Sequence, residues 1–405
     1  MWVLPLVLAT GNLHIFELYR WCYWSCHMGC CWMAIVSSAG MPIFQYSSDG
    51  IDTPFAIQGL LTALQTSTQS YQCQVDVIHT KTASIAYLIV DDTMFICCLN
   101  TAYQWIAQHI IASTRSSISL AGISMLNASA AEVRKEIQSV SPMITRLIGK
   151  GNPSTSWIGL PQFTLCEKVS HIENMISVAS SISEYQQAAI IHNHNIMCCS
   201  PEWLALDPEE MWAILHLYKS CESTEPVTSF TIYLKDDIGN PTRRRELVAV
   251  HITSLVVLIV LPEEGTDISE IDVALNVFRV ENTLPVHIKM DSNIQGYFYL
   301  YNGVFVETYF AWNDTADRLH DILLRTLGEH LTDNNIEVKE RPELTMASDE
   351  QYQVENDAVL YLIKRQSSIL VVALSREIPP SCYRGIANIT AATLNRRFSE
   401  VAGLQ

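Results

Sequence analysis

The 405-residue chain carries 25 Lys and Arg against 42 Asp and Glu, a formal net charge of −17. At roughly 150 residues per domain it has room for two or three domains. Its 49% apolar content is enough for sizeable cores and excludes wholesale disorder. So acidic a chain is a poor binder of polyanions, which argues against nucleic acid as a partner. Charged residues are only 17%, against about 25% in an average soluble domain, so the chain is either membrane-associated or keeps apolar surface for protein partners.

Residues 1–32 read as a doubtful N-terminal extension. Residues 1–9 are apolar but lack the basic start of a good secretory signal. Cys22, Cys26, Cys30 and Cys31 surround His27, yet their spacing is not a zinc pattern and no second ligand pair follows. The other cysteines fall mostly in apolar strand-like runs without framework spacing, which points to a reducing compartment. The longest apolar runs, 255–261 and 369–374, have the length of buried strands rather than the about 20 residues of a membrane helix.

From residue 33 a pattern begins that occurs three times. Residues 33–46 form two apolar runs around Ala39-Gly40, a hairpin signal. Thr53 and Pro54 then open a helix with Ile57, Leu60, Leu61 and Leu64 on one face. Strand-like runs follow at 71–79, 82–90 and 93–99, then helices at 101–119 and 130–148. The second round has a hairpin at 188–199 and a helix capped by Asp207-Pro208-Glu209-Glu210, with the stripe Met211, Ile214, Leu215, Tyr218. Strands at 229–234, 246–253 and 255–261 and a helix at 268–280 complete it. The third has Asn302-Gly303 between alternating apolar residues, a helix capped by Asn313, and strands at 358–364 and 369–375. A last helix at 381–401 turns Ile386, Ile389, Leu394 and Phe398 inward. Residues 332–357 are polar and acidic and read as a loop. The layout is α+β, with antiparallel sheets flanked by helices. The proposed boundaries are 33–150, 151–285 and 286–405, with the acidic loop 332–357 inside the third.

Catalytic signatures are missing. There is no phosphate-binding loop, no dinucleotide fingerprint and no nucleophile elbow. His192 and His194 could be joined by Cys198 and Cys199 in a metal site, but the pairs flank a turn and adjacent cysteines on a strand face opposite ways. Polar turn residues and core cysteines explain them better. Asp91-Asp92 and Asp236-Asp237 fit turn aspartates. Arg243-Arg244-Arg245 is the basic run of this acidic chain. It reads as a solvated loop at a hairpin mouth or as a contact for phosphate, whether a phosphoinositide headgroup or an acidic partner.

Several patches carry a resemblance. Ser37-Ser38-Ala39-Gly40-Met41-Pro42-Ile43-Phe44, Ser47-Ser48-Asp49-Gly50 and Pro54-Phe55-Ala56-Ile57 open the first unit. Tyr233-Leu234 precedes Gly239-Asn240-Pro241, Gln351-Tyr352-Gln353 precedes Val359-Leu360-Tyr361-Leu362, and Tyr383-Arg384-Gly385-Ile386-Ala387 closes the chain. From residue 33 onward the sequence resembles the Fuzzy family of planar cell polarity effectors, a triple longin-domain family, although residues 1–32 depart from it. The resemblance implies three consecutive longin-like domains, no enzyme active site, no cofactor and no metal. It implies pairing with an Inturned-like longin protein to promote nucleotide exchange on a Rab-type GTPase. It further implies a Fritz-like WD-repeat partner, a Rab-like small GTPase, and a cytoplasmic location at the cilium base or apical cortex. Under it, Phe55, Gln58 and Gln65 are candidate partner contacts. Triple longin subunits of endosomal and lysosomal Rab exchange factors share the layout and form the alternative. A secreted, glycosylated binding protein, built on residues 1–9 and the sequons at Asn127, Asn313 and Asn388, is a third reading.

Overall fold

The structure, a computed structural model, describes residues 31–37, 40–48, 59, 61–64, 67–68, 77–79, 84–90, 93–99, 104–123, 130–148, 161–165, 187–192, 195–221, 225–236, 241–252, 256–262, 290–301, 304–310, 349–354, 358–365 and 368–401. The architecture is mixed α/β with three five-stranded antiparallel sheets, compatible with repeated α+β domains. The chain divides near residue 160 into two compact units, the first sheet in one and the second and third in the other.

Strands β1 (Trp32–Ser37), β2 (Pro42–Ser47), β3 (Val77–His79), β4 (Ser84–Val90) and β5 (Thr93–Leu99) form the first sheet in the order β2-β1-β5-β4-β3. Strands β6 (Gln187–His192), β7 (Asn195–Cys199), β8 (Val227–Lys235), β9 (Pro241–His251) and β10 (Val256–Leu261) repeat that order as β7-β6-β10-β9-β8. Strands β11 (Ile294–Tyr301), β12 (Val304–Phe310), β13 (Asp349–Val354), β14 (Ala358–Lys364) and β15 (Ser368–Ser375) repeat it again. The opening hairpins also share a bulge. The ladder skips one residue of the second strand each time, Ile43, Met197 and Val306, opposite the step into the last two residues of the first strand.

In the first unit, helix α1 (Gln104–Leu120) lies over β4 and β5, and α2 (Ala130–Ile148) lies beside it over β1 and β2. Because α1 is covered by both sheet and helix, Ser113, Thr114, Ser116 and Ser117 are buried along with its isoleucines. Ser117 Oγ donates to Ser113 O within the helix, and Thr114 Oγ1 donates to Met33 Sδ on β1, so these buried hydroxyls are matched. Gly122, at φ 72°, ends α1: its N–H bonds Ser119 O, and Ile123 N–H bonds Ile118 O. On the opposite face of the sheet, Leu61 packs with Trp32, Ala34, Val36, Ile85, Tyr87, Met94, Ile96 and Cys98.

In the second unit, Ser200 opens the short helix α3 (Pro201–Leu204), its Oγ accepting from Trp203 N–H and Ala188 N–H. Helix α4 (Pro208–Cys221) starts on the expected cap, Asp207 Oδ1 accepting from Glu209 N–H. Segment 161–165 adds a parallel bridge to the outer edge of β7 through Phe163 and Ile196. Helix α5 (Pro380–Val401) crosses the third sheet. Arg384 meets Glu350 of β13, Asn395 meets Tyr299 of β11, and Phe398 packs against Tyr301 and Phe163.

Four sequence expectations need correction. Trp32 is fully buried as the first residue of β1, and Cys31 before it is bonded to Ser48, so the first unit begins before residue 33. Residues 349–354, expected within the acidic loop 332–357, form the edge strand β13. Its acids are tolerated because one side of an edge strand meets water. Residues 241–245 belong to strand β9 rather than a loop. Finally, α5 turns Tyr383, Ala387, Thr390, Ala391, Leu394 and Phe398 inward and leaves Ile389 70% exposed. Small alanines let the helix approach the sheet closely, and that close approach, not side-chain size, sets the buried stripe. The helices expected at 268–280 and at Asn313 lie outside the described residues.

Candidate functional site

Phe55, Gln58 and Gln65 lie outside the described residues. Beside them, residues 61–64 are helical, and fully buried Leu61 fixes that segment on the first sheet.

The arginine run can be placed. The β8–β9 ladder pairs Arg243 with Leu234, Arg244 with Tyr233, and Arg245 with Ile232. Successive strand residues face opposite ways, so Arg243 and Arg245 share one face and Arg244 takes the other. Arg243 and Arg244 are exposed and Arg245 is half-buried. Strand geometry thus separates the run into a pair and a single guanidinium, rather than one three-pronged phosphate cradle. The nearby Asp236 accepts from the Thr242 hydroxyl, an ordinary turn role.

The C-terminal end of β8, beside the arginine run, is tied to the start of α4. Lys235 Nζ lies 3.1 Å from Glu209 Oε2 and 3.6 Å from Asp207 Oδ2, while Lys235 N–H donates to Glu210 Oε1. Burial raises the Glu210 pKa, opposed by the Lys235 N–H and charge. Burial alone would lower the Lys235 pKa, but the Glu209, Asp207 and Glu210 carboxylates together raise it. This is a structural latch in which each group is spent on another.

At the third sheet's edge, Glu350 Oε2 accepts from the Tyr361 hydroxyl and pairs with Arg384 Nε, both at 2.9 Å. Tyr352 and Val354 stay exposed beside them. Burial pushes the Tyr299 hydroxyl up to about 12, and it donates to Asn395 Oδ1.

Among the described residues no cluster of three or more His, Cys, Asp or Glu is placed to hold a metal ion. Cys198 and Cys199 are buried in β7, and burial raises the Cys199 pKa. The sequon at Asn388 sits within α5, with Thr390 buried and its hydroxyl bonded to Ile386 O, a poor acceptor for a glycan. Among the described residues no helix is long and apolar enough to cross a membrane. No protein-family model matches the chain, and no curated protein matches it.

Sequence reasoning missed β13 and the part Glu210 plays at the end of β8. The first was masked by its acids. The second required knowing that β8 is an edge strand.

Proposed function

We propose that this chain is a non-catalytic planar cell polarity and ciliogenesis effector of the Fuzzy type, built from three longin-like domains. It pairs with an Inturned-like longin protein, and the pair promotes nucleotide exchange on a Rab-type GTPase. The observation that supports this reading is the threefold recurrence of one strand order with one bulge position, starting where the resembling patches start. Exchange of this kind needs no nucleophile. A factor that binds the open, nucleotide-free GTPase better than the closed form shifts the population towards release. A Fritz-like WD-repeat protein and a Rab-like GTPase complete the assembly, in the cytoplasm at the cilium base or apical cortex, in peripheral contact with phosphoinositide membrane.

Affinity purification from ciliated cells tests this. Recovery of Inturned-like and Fritz-like proteins supports it. Recovery of an endosomal Rab with a different longin partner, and neither of those two, assigns the chain instead to a vesicle-trafficking exchange factor.

A further inference from the structure

The three sheets end in six edge strands, and most of these are guarded. Strand β3 has three residues, β7 is bridged by Phe163, β2 starts at Pro42 with α2 packed on it, and β13 carries two acids. Short edges, covering segments, proline and charge are the usual protections against strand addition. Among the described residues strand β8 has none of them along Val227–Leu234: it is nine residues long and its first charge is Lys235 at the end.

The direction of its backbone groups can be worked out. Pro226 O accepts from His251 N–H, so even-numbered positions face β9. Lys235 N–H points away, to Glu210 Oε1. A strand residue sends its N–H and C=O to the same side, and the side alternates along the strand. Val227, Ser229, Thr231 and Tyr233 therefore direct theirs outward. Glu210 closes the end of this row, its carboxylate oxygen standing where the carbonyl of a further strand would stand.

We propose that the outer edge of β8, from Val227 to Tyr233, receives an extended acidic segment of a partner protein as a sixth strand. The charge beside the edge selects the occupant: the carboxylates at this end are held by Lys235, Asp207 and Glu209 at its Nζ and Glu210 at its N–H, while among the described residues the arginines of β9 are not. Arg244 faces out from one side of the sheet opposite Tyr233, and Arg243 from the other opposite Leu234. Among the described residues none of the three guanidinium groups forms an ion pair. An added strand would lie two strand spacings, about 10 Å, from β9, a gap that an extended arginine and a glutamate span together. Because the arginines lie on opposite faces, the matching feature is two consecutive acidic residues, one per face, at the end that meets Tyr233 and Leu234. Glu246 on the Arg244 face, opposite Thr231, keeps a carboxylate from being welcome further along. A second copy of the chain is disfavoured, since each copy carries −17.

The probe is a fluorescein-labelled peptide of alternating valine and threonine with one adjacent glutamate pair, and its counterpart has lysines in place of the glutamates. The full chain should bind the glutamate peptide about ten-fold or more tightly than the lysine one at low salt, and the preference should shrink in high salt. Thr231→Pro removes an outward N–H while sparing the bonds to β9, and should abolish binding. The double variant Arg243→Glu with Arg244→Glu should reverse the preference, and does not depend on the proline variant folding. Hydrogen exchange at the amides of Val227, Ser229, Thr231 and Tyr233 should be fast in the free chain and slowed by the glutamate peptide. Binding that ignores both sets of variants, or amides already protected in the free chain, would overturn the proposal.

Discussion

The orientation of α5 can be tested by a pair of substitutions whose effects invert the naive hydrophobic ranking. Ile389 is 70% exposed, so Ile389→Ala removes only about a third of a side chain whose full burial is worth roughly 2–3 kcal/mol. Alanine returns about 0.4 kcal/mol of helix propensity, leaving a net loss of about 0.5 kcal/mol or less. Ala387 is 0% exposed against the third sheet. Ala387→Leu forces three extra carbons into a filled site and should cost about 1–3 kcal/mol. Urea unfolding of both variants, with midpoints compared at unchanged slope, gives the two numbers. A loss of about 2 kcal/mol or more for Ile389→Ala together with tolerance of Ala387→Leu would mean that the opposite face of α5 is inward, and would refute the packing described above.

Other expectations follow from single residues. Leu61→Ala should cost about 3 kcal/mol in unfolding measurements, because the sheet residues around it are held by strand pairing and cannot collapse into the space. Ser200→Ala strands the N–H of Ala188, while Trp203 N–H keeps the Ser200 carbonyl, and should cost about 1–2 kcal/mol by the same assay. The Glu210 pKa is higher folded than unfolded, so the folded state holds its proton more tightly; its contribution to stability is greatest below the unfolded pKa and falls as pH rises through the raised folded value. Unfolding of Glu210→Gln followed from pH 4 to 7 should therefore lack that fall, and an identical pH profile in both proteins would remove Glu210 from the account. The isolated chain should be less soluble than the chain co-expressed with the proposed Inturned-like partner, since Met41, Tyr352, Val354 and Ile389 leave apolar surface uncovered. A monodisperse, soluble monomer in light scattering would argue otherwise.

Much of the fold was legible because its signals are local. Asn302-Gly303 marks a turn by backbone conformation alone, and Asp207-Pro208 marks a helix start by capping chemistry, so β11–β12 and α4 fell where expected. The central strands β10 and β15 stood out as unbroken apolar runs because both their faces are covered. What stayed hidden depends on neighbours. The acids of β13 look like a loop until β14 is seen beside them, and so do Arg243–Arg245 until β8 pairs with them. The shared bulges at Ile43, Met197 and Val306 leave no mark in composition, since each is an apolar residue in an apolar strand. Of the candidate sites, the arginine run was visible as charge, but its division between two faces required the strand.

The central claim is that this chain works as half of a longin pair acting on a GTPase. Release of fluorescent GDP from a Rab-type GTPase, measured with the chain alone and with the chain co-purified with an Inturned-like protein, tests it most directly. The account predicts no acceleration by the chain alone and clear acceleration by the pair. Failure to form a stable pair, or a stable pair that leaves the release rate unchanged, would contradict it.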